Sequence, residues 1–210
     1  MTENETPDAE THGAAHGRTS YKRAAVLAVP AFVAIGAMGI AMAQGAMAAT
    51  FAVSGTNFKV TSGELTSDAL ASYVEVDRSV DGKGHPVSLL SLKQAALSDI
   101  CQSTGVNTPI GRVTFRLSAG GDAGKVTADS LVIDAEDLAG DAKFGKVEIG
   151  RDASTLDAVP GTQGKPGSFG LQVKGVSVSG VKSHAWSAMG GNFKLKGLKI
   201  NVGLGGKECF

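Results

Sequence analysis

The chain has 210 residues, enough for one domain plus a targeting segment; 42% are hydrophobic, only 5% aromatic, and 29 are glycine without the triplet period of collagen. Twenty basic residues balance twenty acidic ones. Without everything before Ala49, 17 basic and 16 acidic residues remain, so net charge gives no sign of a nucleic-acid partner or of a strongly anionic bilayer.

Met1–Gly17 is polar, carries Glu3, Glu5, Asp8 and Glu10, and has no apolar periodicity; residues 1–23 read as a disordered charged tail. Arg18, Lys22 and Arg23 directly precede an uncharged run, Ala24–Ala43, as a positive flank precedes an export helix. At about 1.5 Å per residue, twenty helical residues just cross a hydrocarbon core of about 30 Å. The run is rich in Ala and Gly and is interrupted by Pro30, Gly36 and Gly39. Ala41-Met42-Ala43 and Ala46-Met47-Ala48 follow the small-x-small pattern of processing sites. Residues 24–48 are therefore either a cleaved signal peptide or a single-pass anchor with its N-terminus inside. Either way, residues 49–210 are expected as an exported glycine-rich β domain, secreted or held at the cell membrane.

Within that domain, Leu65–Tyr73 shows a weak helical pattern. Leu89–Ile100 shows a better one, because Leu89, Leu92, Ala96 and Ile100 fall on one helical face. The rest reads as strands. Val113, Phe115 and Leu117 alternate with polar residues; Phe169, Leu171 and Val173, then Val176 and Val178, continue the theme. Phe193 and Leu195 alternate with lysines, Gly197 shifts the phase, and Leu198, Ile200, Val202 and Leu204 follow; a glycine at a phase change marks a bulge or kink. Turn signals stand at Asp81-Gly82, Gly120-Gly121, Gly161, Gly164, Pro166-Gly167 and Gly190-Gly191. The fold class expected is mostly β: an antiparallel elongated sheet or sandwich, or a β-solenoid-like domain, after one N-terminal apolar helix.

Faint self-similarity points the same way. Asn57-Phe58-Lys59-Val60 recurs as Asn192-Phe193-Lys194-Leu195, and Leu89–Leu97 resembles Val178–Trp186, with Leu138, Ala142 and Phe144 as a looser copy. Such spacing suits paired long strands or coils of a solenoid.

The two cysteines, Cys101 and Cys209, both lie on the exported side. An even pair in an oxidising compartment predicts a disulfide. It would close a loop of about 108 residues, contributing about 4–5 kcal/mol in the chain-entropy model. Metal binding and cofactors find no support: there is no Cys-x-x-Cys, and His85 and His184 lack ligand-type partners at zinc spacing. Asp134, Glu136, Asp137 and Asp141 lack the glycine-anchored loop of a calcium site and read as acids on a solvated strand face. Gly167-Ser168-Phe169-Gly170 and Ser177-Val178-Ser179-Gly180 both miss the spacing of a nucleophile elbow. His85 reads as a turn residue and His184 as a strand residue beside Trp186, so no catalytic residue is assigned.

Taken together, Asp99-Ile100-Cys101-Gln102-Ser103, Ala142-x-Phe144 with Ile149-Gly150-x-Asp152-Ala153, Gly191-x-Phe193-x-Leu195-x-Gly197-Leu198 and terminal Cys209-Phe210, behind a basic-flanked Ala/Gly helix, resemble a family of actinobacterial exported proteins of unknown function. Members sometimes carry the automatic label cholesterol esterase, which these residues do not explain. Two functional classes stay open. One is a non-enzymatic envelope protein that binds a partner or self-associates, in contact with the membrane through Ala24–Ala43 if that segment is retained. The other is a carrier of lipid or another apolar ligand. A carrier needs an open apolar concavity of a few hundred Å³; a scaffold needs a filled core and an available sheet edge. An esterase needs a serine or cysteine within hydrogen-bond reach of His85 or His184.

Overall fold

The structure, a computed structural model, describes residues 54–210. The expected disordered tail, apolar helix and processing sites lie outside the described residues. Eight strands follow in order: β1 (Phe58–Arg78), β2 (Gly84–Ser98), β3 (Ile100–Thr108), β4 (Gly111–Ala119), β5 (Val126–Ala135), β6 (Ala139–Asp152), β7 (Phe169–Gly191) and β8 (Lys199–Leu204). Every strand pairing is antiparallel. The mostly-β, antiparallel expectation therefore holds.

The sheet runs β6-β7-β5-β2-β1-β3-β4-β8, and β7 also pairs with β1. The pairings β1–β2, β2–β5, β5–β7 and β7–β1 close into a ring. Its stagger is large. Ala185 of β7 pairs with Phe58 on β1 and with Ala135 on β5, yet Ala135, followed through Ser88 on β2, stands level with Val74 of β1. Strong stagger tilts strands and widens a barrel of few strands. Outside the ring, β3, β4 and β8 extend as a three-stranded wing from the upper end of β1.

The two expected helices are strands, and their misleading period has a physical cause. On β2 the buried inward residues are Leu90, Leu92, Ala95, Leu97 and then Ile100 at the start of β3. Steps of two alternate with steps of three because Gln94 and Asp99 sit at positive φ, 52° and 49°, and each resets the alternation. Three-residue steps imitate a helical face. Across β7 the inward valines step likewise: Val173, Val176, Val178, Val181. Here Gly175 and Gly180, at φ 68° and 63°, supply the kinks, conformations that cost a side-chain-bearing residue about 1–2 kcal/mol.

These kinks lie in register. Between β1 and β7 the pairing lapses at Asp68 with Gly175 and at Gly63 with Gly180. Between β6 and β7 it lapses beside Gly145 and Gly140. Two rows of kinks thus cross the sheet five residues apart, curling it into the ring. Inward-facing Ser62 and Ser67 satisfy carbonyls freed there. Ser62 donates to Ser98 O at 2.6 Å, and Ser67 donates to Lys93 O at 2.6 Å. This spacing replaces the longer repeat expected from sequence. Leu92 stands opposite Leu70 and level with Val173, not with Val181, which faces Ser62.

A second small core covers the outer face. Ala153, Leu156 and Val159, from the segment between β6 and β7, pack on Ala69 and Ala71 of β1. Buried Gln172 holds that segment, accepting from Asp157 N (2.9 Å) and Ala158 N (3.1 Å). Phe193–Lys196 is not a strand; it makes one isolated bridge, Thr127 with Lys194, before Gly197 turns the chain into β8. After β8, residues 205–210 fold back across the wing, where Cys209 is joined to Cys101 by a disulfide. There Cys209 N donates to Ser103 Oγ at 2.9 Å, and Glu208 is paired with Lys59 and Arg112.

Candidate functional site

The ring encloses apolar space because the kinked rows keep aliphatic side chains of its four strands, and of the adjoining β6, pointing inward. Two chambers result, of about 250 and 390 Å³. Val60, Leu97 and Ile133 line both, so they are adjoining parts of one interior. The first lies among Leu65, Leu70, Leu90, Leu92 and the β7 valines, and it reaches the free edge of β6 at Leu138, Ala142 and Phe144. The second lies between the top of β1, the start of β3 and the end of β7, among Phe58, Ile100, Trp186, Met189 and Phe193.

Among the described residues, no charged side chain lines either chamber, and most polar groups there are already satisfied. Ser183 donates to Asp137 O at 2.6 Å, Ser187 donates to buried Asp134, and Trp186 Nε1 donates to Glu136 Oε1 at 2.9 Å. Gln102 differs: it lines the second chamber, and its side-chain amide has no hydrogen-bond partner among the described residues. An apolar cavity with one convergent polar group has the chemistry of a site for a small amphiphile.

The residues singled out from sequence form two other clusters. His85 finds a serine: its Nε2 lies 3.1 Å from Ser79 Oγ. The direction of the bond is wrong for hydrolysis. Ser79 has one hydroxyl proton, and it goes to the carboxylate of Asp81, which can only accept. That hydrogen bond, with those from Lys83, holds Asp81 well below the usual carboxylate range. His85 must then donate to Ser79, whereas a general base must take the serine proton. The imidazole also stacks on Trp186, centroids 3.6 Å apart. The group is a clasp on the β1–β2 turn.

His184 is oriented by Asp137, Nδ1 to Oδ2 at 2.8 Å, and its ring meets Phe210 edge-on at 5.1 Å. Among the described residues, no hydrogen bond of the ring goes to a serine or cysteine side chain. With Asp137 also accepting from His184 N at 2.7 Å, the pair fastens the β5–β6 elbow to β7. Of the acids expected on a solvated strand face, Asp141 is exposed on β6, and the other three are placed otherwise. Asp134 is buried against Ser187, and Glu136 and Asp137 sit in the elbow. Among the described residues, no three His, Cys, Asp or Glu side chains converge as metal ligands do.

Burial raises the carboxyl pKa of Asp134. Asp77 is pushed up to about 6, first by burial and then by the charges of Asp134 and Glu75, against a smaller opposing effect of His85. One Asp77 oxygen, Oδ2, is buried without a hydrogen-bond partner among the described residues.

Sequence reasoning missed the chambers because their lining is spread over six segments and stepped by two and three residues. The signal was present as glycine spacing: Gly140, Gly145 and Gly150 on β6, then Gly170, Gly175 and Gly180 on β7.

Comparison with known proteins gives one result. Residues 54–210 match the model of a family of unknown function, DUF6230, and the chain belongs to that family. No curated protein and no solved structure matches it.

Proposed function

We propose that this DUF6230 member binds an apolar ligand, a lipid or similar amphiphile, inside its strand ring. The observation that carries this reading is the pair of adjoining chambers lined without a charge. A scaffold would fill that volume, since voids in a core cost stability. Gln102, able to donate and accept, suits an uncharged hydroxyl, ester or carbonyl on the ligand; a carboxylate or phosphate would enter without a counter-ion. The disulfide Cys101–Cys209 fits an oxidising compartment, so the ligand is met on the exported side.

Trp186 is the only tryptophan of the chain and lines the second chamber. Titration with a spin-labelled fatty alcohol tests the reading through quenching of its fluorescence. Saturable quenching at one equivalent is expected, together with a small lipid in the organic extract of the purified protein. Ala142→Phe, which adds bulk at the exposed edge of the first chamber, should weaken it. Quenching that rises linearly without saturation, with no extractable lipid, would sink the proposal.

A further inference from the structure

The wing has its polarity reversed. Its back carries Ser103 and Thr114, which are 0% and 3% exposed because residues 205–210 lie across them. The opposite face is apolar and uncovered among the described residues. Register places Val106, Val113 and Leu204 in one row, and Phe115 with Val202 and Leu117 with Ile200 in the next two. Val106, Ile200, Val202 and Leu204 are each more than half exposed. This face continues the chamber wall, since the row of Ile200 and Leu117 runs through Gln102 to Val60.

Charge identifies what covers it. The segments 100–119 and 193–207 contain Arg112, Arg116, Lys194, Lys196, Lys199 and Lys207, and no Asp or Glu. Glu208 neutralises Arg112, while Arg116 and the four lysines form no salt bridge among the described residues. Asp99 and Asp122 adjoin only the inner end, where Lys194 and Lys196 also lie. The near-zero net charge of the domain thus conceals a basic wing and an acidic remainder. Alternation sets Arg112, Arg116 and Lys199 on the back with Thr114; Lys199, on the edge strand, can reach around it, and the wing is one sheet thick, within a Debye length of about 8–10 Å. An apolar face on a basic, one-sheet-thick wing is the complement of an anionic lipid surface.

We infer that the β3–β4–β8 wing docks on an anionic bilayer, with Val106, Phe115, Ile200, Val202 and Leu204 entering the headgroup region. The second chamber then opens at the membrane, and an amphiphile passes between bilayer and ring along one continuous apolar wall. That last step rests on the proposed ligand binding; the docking does not.

The test is co-sedimentation of the full chain with vesicles of phosphatidylcholine, with and without phosphatidylglycerol, and amide exchange over residues 199–204. Any contribution of Ala24–Ala43 is common to all variants and cancels between them. The parent should bind the mixed vesicles more tightly, with the β8 amides protected only when those vesicles are present. K196E/K199E should weaken binding about tenfold or more, from about 1 kcal/mol per surface cation. Val202→Asp should do the same while leaving quenching at Trp186 intact. Equal binding by parent and variants overturns the inference. So does β8 protection without vesicles, which would mean a second copy pairs with that edge. Loss of quenching with vesicle binding retained would remove the chamber reading and leave the wing standing.

Discussion

Removing the Cys101–Cys209 bond gives the sharpest stability test. The bond spans 108 residues. Loop closure of that size removes about 5 kcal/mol of chain entropy from the unfolded state at 25 °C. A domain typically has about 5–15 kcal/mol in total, so the loss should be a large share of the whole. The double variant Cys101→Ser/Cys209→Ser avoids a stray thiol, and Ser103, Lys59 and Arg112 still hold the tail noncovalently. Urea unfolding followed by Trp186 fluorescence reads the effect. With a slope of about 2 kcal/mol/M, the midpoint should fall by roughly 2 M. A loss of that size means that the tail leaves the wing only when the ring unfolds. A loss below about 1 kcal/mol at unchanged slope would refute it, because the tail would then detach before the cooperative transition.

Three further outcomes follow from the kinks and the buried carboxyl. Gly180→Ala meets open space but must hold φ 63°, so it should cost about 1–2 kcal/mol in urea unfolding from backbone strain alone. Gly145→Ala keeps an ordinary backbone but sets its methyl 2.9 Å from Lys174 O; it should destabilise by a comparable amount and raise amide exchange along β6. Asp77 holds its proton more tightly when folded, up to about pH 6, than when unfolded. Its contribution is therefore most favourable below the ordinary carboxylate range and is lost as pH rises through about 6. Asp77→Asn should remove that decline and gain on the order of 1 kcal/mol at neutral pH, allowing for the partial exposure of the group. Unfolding midpoints measured across this pH range for parent and variant would show converging curves at low pH.

Strands with plain alternation were legible in the sequence. Val113, Phe115 and Leu117 lie on β4, and Ile200, Val202 and Leu204 on β8, as their period of two implies. Leu89–Ile100 was not legible as a strand, because Gln94 and Asp99 reset its phase and neither residue advertises a positive φ. The chambers were hidden for the same reason, being lined by residues that alternate only between kinks. His85 and Ser79 come together across a hairpin turn, yet only the position of Asp81 reveals that the serine proton points away from the imidazole. The basic wing is not legible in the sequence because its two segments lie about 80 residues apart and meet only where β4 pairs with β8.

The rows of kinks carry a consequence for how such a chain can change over evolutionary time. A kink on β7 works only if β1 and β6 lapse in pairing at the same level. Inserting one residue into any of these strands would carry its glycine out of line with its neighbours and turn every inward side chain beyond it outward. Five residues added to each adjoining strand would instead build one more identical storey, roughly 16 Å of strand at about 3.3 Å per residue. The depth of the ring is thus quantised. Accommodating a longer ligand means adding whole storeys, and nothing between one storey and the next is a foldable intermediate size.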